Sequence, residues 1–515
     1  MNKKLLPIIL VGVIFLSVVI FYAPTNNWNW DPSFYYAQIR SPIIENDLNF
    51  RNETITRDIC TPATVTGLQG SIWPIGPGIL WSPFFLLAHL FVSIVIPAKA
   101  NGFSVPYIAL VSFGSAFYGM AGVFILYKVC RYYAGRFLSI ITVLLTLFAT
   151  PVFYYIYRQP IMPHSTGFFI AALLLLCTIM LIKNQIDQKW SGLIFGVLVG
   201  LSFLLRWAGI LVVIFPLVYF ISAITQSVKA RDPRELRRWI IQIFVGVLSF
   251  VLTISPQLAL WQRLYANFLV MPQGAGTFVD NLLPINLFKV FFDTNRGIIF
   301  WCPFVLIGML GIIRIPELKL RIPGLIYLVS QIIIIGYRLD WFSGGGFGAR
   351  YFVELLPMLA VGFICLVRGF SEKPVARVAL AILAAALIIH QFVLVYVVEQ
   401  AINNWLNFAD YLKGLPLGKR WQLNSLIRLV KNPGLWFEFR PYTSLLRQSI
   451  LVNLVSGVLD LRAYLISATA AVLAPLAVVL VLWTKKLKRS MLLPYIPIGV
   501  VMYMVTWAVY LTVVG

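Results

Sequence analysis

The sequence predicts an all-α polytopic membrane protein, and three observations carry that expectation. Of 515 residues, 60% are hydrophobic and only 11% are charged, less than half the charged share of a soluble domain. Mean hydropathy is +0.87. Apolar runs of about 20 residues recur from end to end, and a run of that length crosses a bilayer as a helix. Together these exclude a soluble enzyme, a disordered chain and a secreted disulfide scaffold. The net charge of +23 speaks for membrane topology and against nucleic acid, because the basic residues form short clusters between apolar runs. The five cysteines (Cys60, Cys130, Cys177, Cys302, Cys365) have no paired spacing. Neither a disulfide framework nor a metal site is expected from them.

Taken in order, the first run covers 5–23, behind Lys3 and Lys4. It is longer than the core of a cleaved signal peptide, about 7–15 residues, and reads as a span. Later runs lie near 79–96, 105–127, 138–157, 166–182, 191–205, 207–225, 239–261, 297–313, 322–337, 351–367, 378–398, 463–483 and 491–514. Six basic clusters separate them, around Arg131, Lys183, Arg234, Lys319, Lys373 and Lys486. If 79–96 crossed the membrane, all six would face outward. If it lies along the outer surface, or dips in and returns, all six fall inside, as basic loops should. Pro74, Pro77, Pro83 and Pro97 punctuate that segment, and Trp73 and Trp81 suit an interface.

The expected architecture has about 13 transmembrane helices, an inner N-terminus, an outer C-terminus and juxtamembrane helices on the outer surface. Residues 1–398 form the catalytic membrane region, with an outer loop at 24–104. Residues 399–462 form an external loop in which Leu423, Leu426, Ile427 and Val430 share one helical face. Residues 463–515 hold the last two spans. The inner segments then carry five of the 18 acidic residues, so chemistry is sought on the outer face.

Four outer stretches hold the candidate residues. Trp28-Asn29-Trp30-Asp31-Pro32 follows the first span, then Tyr35, Tyr36, Arg40 and Asp47. A carboxylate wedged among aromatics and partly desolvated suits a general base. Asp31 before Pro32 equally suits a helix N-cap. The stretch Tyr154 to Ser165 brings Arg158 and His164 to the boundary, where a guanidinium fork fits phosphate oxygens and where an arginine also snorkels. Arg206-Trp207 must mark a tight turn, because 191–225 has just enough length to cross twice. Asp340-Trp341-Phe342-Ser343 leads into four glycines in five positions, 344–348, and then Arg350. Glycines there let backbone N–H groups approach an anion. Arg296, at the mouth of another run, adds a cation.

These residues together resemble a GT-C-fold glycosyltransferase of the family-39 type, related to protein O-mannosyltransferases and to the aminoarabinose transferase acting on lipid A. The stretches WPIGPGILWSPFF at 73–85, RQPIMPHSTGFF at 158–169, NRGIIFWCPFVLIGMLGI at 295–312 and DWFSGGGFGARYFVELLP at 340–357 carry the likeness. It covers most of residues 1–370. Many relatives have a paired Asp-Glu where this chain has Asp31 before Pro32, so Asp47 is the candidate second carboxylate.

The resemblance implies an inverting transferase in a bacterial plasma membrane, working on its extracytoplasmic face. It would move a sugar from a polyprenyl-phosphate carrier to a hydroxyl of a lipid, glycan or protein. Asp31 and Asp47 would be catalytic. Arg158, His164, Arg296 and Arg350 would bind the donor phosphate, and Tyr35, Tyr36, Asp340 and Trp341 the substrate. The scheme needs no cofactor, no metal and no nucleic-acid partner. A transporter or flippase of lipid-linked saccharides, or a polymerase or ligase of them, is the alternative.

Overall fold

The computed structural model describes residues 31–51, 53, 63–272, 278, 283–293, 296–343, 346–403 and 495–513. The expected span 5–23, Trp28 to Trp30, Cys60, Asn295, Gly344, Gly345, the external loop from residue 404 onward, the span 463–483 and the Lys486 cluster lie outside the described residues. Regular structure in the described residues is helical, with two isolated bridges, Ala63 to Gln69 and Phe278 to Arg338, as the β contacts. In order come α1 (Asp31–Arg40), α2 (Gly76–Val95), α3 (Val105–Arg131), α4 (Arg136–Phe148), α5 (Val152–Tyr157), α6 (Pro163–Ile182), α7 (Ser191–Leu205) and α8 (Ile214–Lys229). There follow α9 (Pro233–Tyr265), α10 (Leu287–Phe292), α11 (Ile298–Trp301), α12 (Pro303–Gly311), α13 (Leu318–Tyr337), α14 (Leu356–Val367), α15 (Pro374–Asn403) and α16 (Tyr495–Val513).

Among the described residues nine helices are long and apolar enough to cross a membrane, and three shorter apolar helices accompany them. The protein is an all-α integral membrane protein. Every expected apolar run that falls on described residues is helical, but two are broken. The run 138–157 divides into α4 and α5 at Pro151, and 297–313 divides into α11 and α12 at Pro303. Proline supplies no N–H to the helix ladder and clashes with the preceding turn, so each chain segment restarts there. At α9 the start is explicit: the Asp232 side chain accepts hydrogen bonds from the backbone N–H groups of Arg234 and Glu235, with Pro233 at the first helical position.

The turn expected at Arg206 is present. Arg206 is extended (φ −157°), and a 3-10 segment, Trp207–Val213, leads into α8. Phe195 of α7 meets Tyr219 and Phe220 of α8 at 5.4 and 5.9 Å between ring centroids, so the two helices run antiparallel. The helices α7 and α9 pack closely. Gly192, Gly196 and Gly200 lie one turn apart along α7. A methyl group built on Gly192 would sit 2.0 Å from the Gln242 carbonyl oxygen, and one on Gly196 would sit 2.1 Å from Ser249 Oγ. Small residues at four-residue spacing let membrane helices approach until their backbones touch.

The helix α2 was expected along the outer surface. It is one of the nine helices long and apolar enough to cross. It packs along the first half of α3, from His89 at Tyr107 (2.6 Å) to Phe84 against Phe113, Phe117 and Tyr118, with the Tyr118 hydroxyl on the Leu80 carbonyl (3.1 Å). Its first two turns meet Leu204 of α7 and Thr166 of α6 at one end of the bundle. A buried ionic knot ties α1 to the same end. Arg40 NH1 donates to Glu45 (2.9 Å) and Glu53 (2.7 Å), and Arg40 Nε donates to the Asn101 carbonyl (2.8 Å). Gly102, at φ +77°, makes room for it: a Cβ there would lie 2.8 Å from Arg40 Cγ.

Two measurements test this packing. Replacing Gly196 with Val should lower the melting temperature of the purified protein by several degrees, since overpacking a tight seam costs about 1–3 kcal/mol; an unchanged value would show that the seam relaxes freely. Burial, opposed by Arg40, raises the Glu53 carboxyl from 4.5 to about 7. A raised folded-state value means stability that is fully present below pH 4.5 and lost as pH rises through 7. Melting temperature should therefore fall across that window, and Glu53→Gln should flatten the fall.

Candidate functional site

The helix α1 opens at Asp31, and Asp31 faces a cavity of about 350 Å³ at the end of the bundle where α1, α2 and the first turn of α6 meet. Its carboxylate accepts a hydrogen bond from Arg350 NH1 at 3.0 Å. Residues 319 positions apart are thereby joined. Tyr35, Trp73, His164, Arg206, Arg338 and Tyr351 complete the polar and aromatic wall. Ile210, Leu211, Val270, Met271 and Ile334 make the rest of it apolar. Tyr35 is buried and stacked on Trp73 at 6.0 Å. Desolvation, reinforced by the Asp31 charge, pushes its hydroxyl well above the ordinary value.

Three guanidinium groups surround the Tyr351 ring. Arg206 lies 5.1 Å from its centroid, Arg338 5.2 Å and Arg350 5.7 Å. Cations so placed are attracted by the negative face of the ring. Each also holds its own carboxylate: Arg350 with Asp31, Arg206 with Glu354 at 2.8 Å, and Arg338 with Asp340 through two bonds of 2.7 and 2.9 Å. The Tyr351 hydroxyl donates to Asp340 at 2.8 Å. Glu354 also stands 3.5 Å from His164 Nδ1. Although burial raises the Asp340 carboxyl, the bonds and charge of Arg338, with the Tyr351 hydroxyl, hold it below its ordinary range.

The described part of the glycine-rich segment, 346–348, leads straight into Arg350 and is held in place from α5. Tyr155 clamps it: the Phe347 N–H donates to Tyr155 Oη (2.9 Å), and the hydroxyl donates to the Phe347 carbonyl (3.1 Å). The Tyr154 ring stacks on Phe347 at 4.3 Å. Gly348 takes φ +61°, a conformation that costs glycine little. Gly346 lies so close to Arg350 that a Cβ on it would sit 2.6 Å from Nε. The stretch 154–164 thus supports the loop with its tyrosines and lines the cavity with Met162, Pro163 and His164.

Of the residues singled out in the sequence, Asp31, Tyr35, His164 and Arg350 line the cavity. Asp340 stands behind its wall, joined to it by Arg338 and Tyr351. The others lie elsewhere. Asp47 accepts from Ser41 Oγ (2.5 Å) and the Asn49 N–H (3.1 Å), holding the turn after α1. Tyr36 is buried against Phe85 with its hydroxyl on the Gly102 carbonyl. Arg296 lies over Trp301 at 4.5 Å. Arg158 follows α5 and does not line the cavity, and Trp341 packs edge-on with Phe342 at 6.0 Å. Arg206 was expected at a turn, as an arginine at membrane depth; Arg338, Tyr351 and Glu354 were absent from the expected set. For Glu354 a signal existed: an acid inside an apolar run is a functional suspect.

Compared with known proteins, the chain matches no family model, no curated protein and no solved structure.

A double-mutant cycle tests the Arg206–Glu354 pair. Removing one partner of a buried ion pair costs about 3–5 kcal/mol because the other charge is left uncompensated. Glu354→Ala should strongly lower the melting temperature, and Arg206→Met in the same molecule should restore part of the loss. Strict additivity would mean that the pair carries no coupling.

Proposed function

We propose that the protein is an inverting glycosyltransferase that takes a sugar from a polyprenyl-phosphate carrier at the outer boundary of a bacterial plasma membrane. The observation that carries this reading is one carboxylate, Asp31, facing an open-mouthed cavity together with three arginines, beside an apolar wall. The apolar wall continues outward. Ile210 lines the cavity and is itself exposed, and Val213, Leu217 and Ile221 follow it as exposed residues on one face of α8. A lipid tail lying along that row would leave its phosphate near Arg206 and Arg338.

The chemistry follows from charge. The donor is a phosphodiester with about one negative charge, and its phosphate approaches two as the sugar departs. Arginines at that phosphate stabilise the transition state more than the bound donor, which is the condition for raising the rate. Incoming phosphate oxygens compete with Asp31 for Arg350, and the released carboxylate accepts the proton of the acceptor hydroxyl. The hydroxyl oxygen bonds to the anomeric carbon from the face opposite the phosphate. The carbon–oxygen bond to the phosphate breaks, and its electron pair leaves with the phosphate. One displacement inverts the anomeric centre.

In this reading α2 lies along the outer surface and the basic loops face the cytoplasm. The family-39-type identity belongs to the same proposal, as do about 13 spans in all. The protein in nanodiscs, supplied with a radiolabelled polyprenyl-phosphate sugar and a membrane extract as acceptor, should transfer label. Asp31→Asn should cut the rate by 10²-fold or more, the scale of general-base catalysis, in a protein that is less stable for the loss of Arg350's partner but still folded at the assay temperature. Full activity in that variant refutes the base assignment. Donor-dependent counterflow across sealed vesicles without covalent transfer would favour the flippase instead.

A further inference from the structure

At the opposite end of the bundle lies a second cleft, of about 690 Å³. Arg350 begins the segment that runs through α14 to Arg368, and about 18 residues of helix, roughly 27 Å, separate the two ends. Arg314, Arg368, Arg377 and one acid, Glu372, line the mouth. Tyr133 and Ser371 also line it, and Leu138 with the buried Cys365 makes the floor apolar. Gly135 and Gly369 border the cleft, and a Cβ on either would meet nothing within 4 Å. Two cations at this end are paired with acids, Lys183 with Glu317 at 3.0 Å and Arg238 with Glu235 at 2.8 Å. Among the described residues no carboxylate pairs with Arg314, Arg368 or Arg377. Arg377 instead donates to the Ser371 carbonyl at 2.8 Å, and its guanidinium leans toward the Phe137 ring.

Two exposed apolar rows descend from this mouth. Phe137, Ile140 and Leu144 mark one face of α4, and Val378, Ile382 and Ile389 mark one face of α15. The two helices pack against each other, so the rows flank a shared track. A basic mouth above a double apolar track matches a molecule with an anionic phosphate head and two acyl chains.

We infer that this cleft binds the headgroup of an anionic phospholipid, with the acyl chains lying along α4 and α15. The shared chemistry is a phosphate monoanion against three guanidinium forks. The apolar rows favour a phospholipid over free phosphate as its source. The inference stands apart from the reading of the Asp31 cavity, because none of its residues belongs to that site.

The test uses the full chain, stripped of lipid and titrated with phosphatidylglycerol in neutral detergent, with bound lipid counted by native mass spectrometry. The wild type should retain phosphatidylglycerol over phosphatidylcholine. The variant Arg314→Gln/Arg368→Gln/Arg377→Gln should lose at least about tenfold in retention, since each basic residue contributes appreciably to such binding. A control, Arg231→Gln/Arg234→Gln/Arg237→Gln, removes as many charges from the same end and should retain lipid as the wild type does. If the triple variant does not fold, Arg368→Gln alone should show a graded loss. Equal retention of phosphatidylcholine, equal loss in the control, or stabilisation by inorganic phosphate as large as by the lipid would overturn the inference.

Discussion

The ring of Tyr351 is the fixed point of the site. Three arginines arriving from different elements, one from the α7–α8 turn, one from the end of α13 and one from the head of α14, gather within 6 Å of it. Left alone, three buried cations would repel one another strongly at low dielectric. Their coexistence depends on the ring and on three carboxylates, Asp31, Asp340 and Glu354, each bonded to one guanidinium. Everything else at this end of the bundle serves that arrangement. The tyrosine clamp on Phe347 fixes the approach to Arg350, and the tight α7–α9 seam fixes the helix that ends at Arg206.

Much of this was legible beforehand, and the reason is the bilayer. A membrane helix must satisfy its backbone internally and must show an apolar surface, so runs of the right length declare themselves. The turn at Arg206 was legible from length alone. Asp31 and Arg350 were legible as residue types, because a carboxylate beside aromatics and an arginine after glycines both suggest chemistry. Their meeting was expected only from the resemblance, since nothing local in either segment specifies a contact across so much chain.

The roles that escaped the sequence are pairings. Tyr351 reads as one aromatic among many until three arginines are placed around it. Arg338 and Asp340 sit two residues apart, yet their bidentate bond depends on the chain leaving α13 in an extended conformation. Arg158 and Arg296 carry the same charge as Arg350 and stand near the same segments. Burial and the direction of the backbone, not composition, decide that neither lines the cavity. Among the glycines expected to let backbone approach an anion, Gly346 lies close to Arg350 itself.

Because every arginine in the Tyr351 cluster already holds a carboxylate, the cavity carries little net charge when empty. It therefore projects a weak field into solvent and does not concentrate chloride or inorganic phosphate from a distance. Occupancy is decided at contact, by whether an arriving group replaces carboxylate oxygens with its own. On the proposed function, such an exchange site would discriminate by shape and by attached hydrocarbon, with an affinity that depends only weakly on ionic strength.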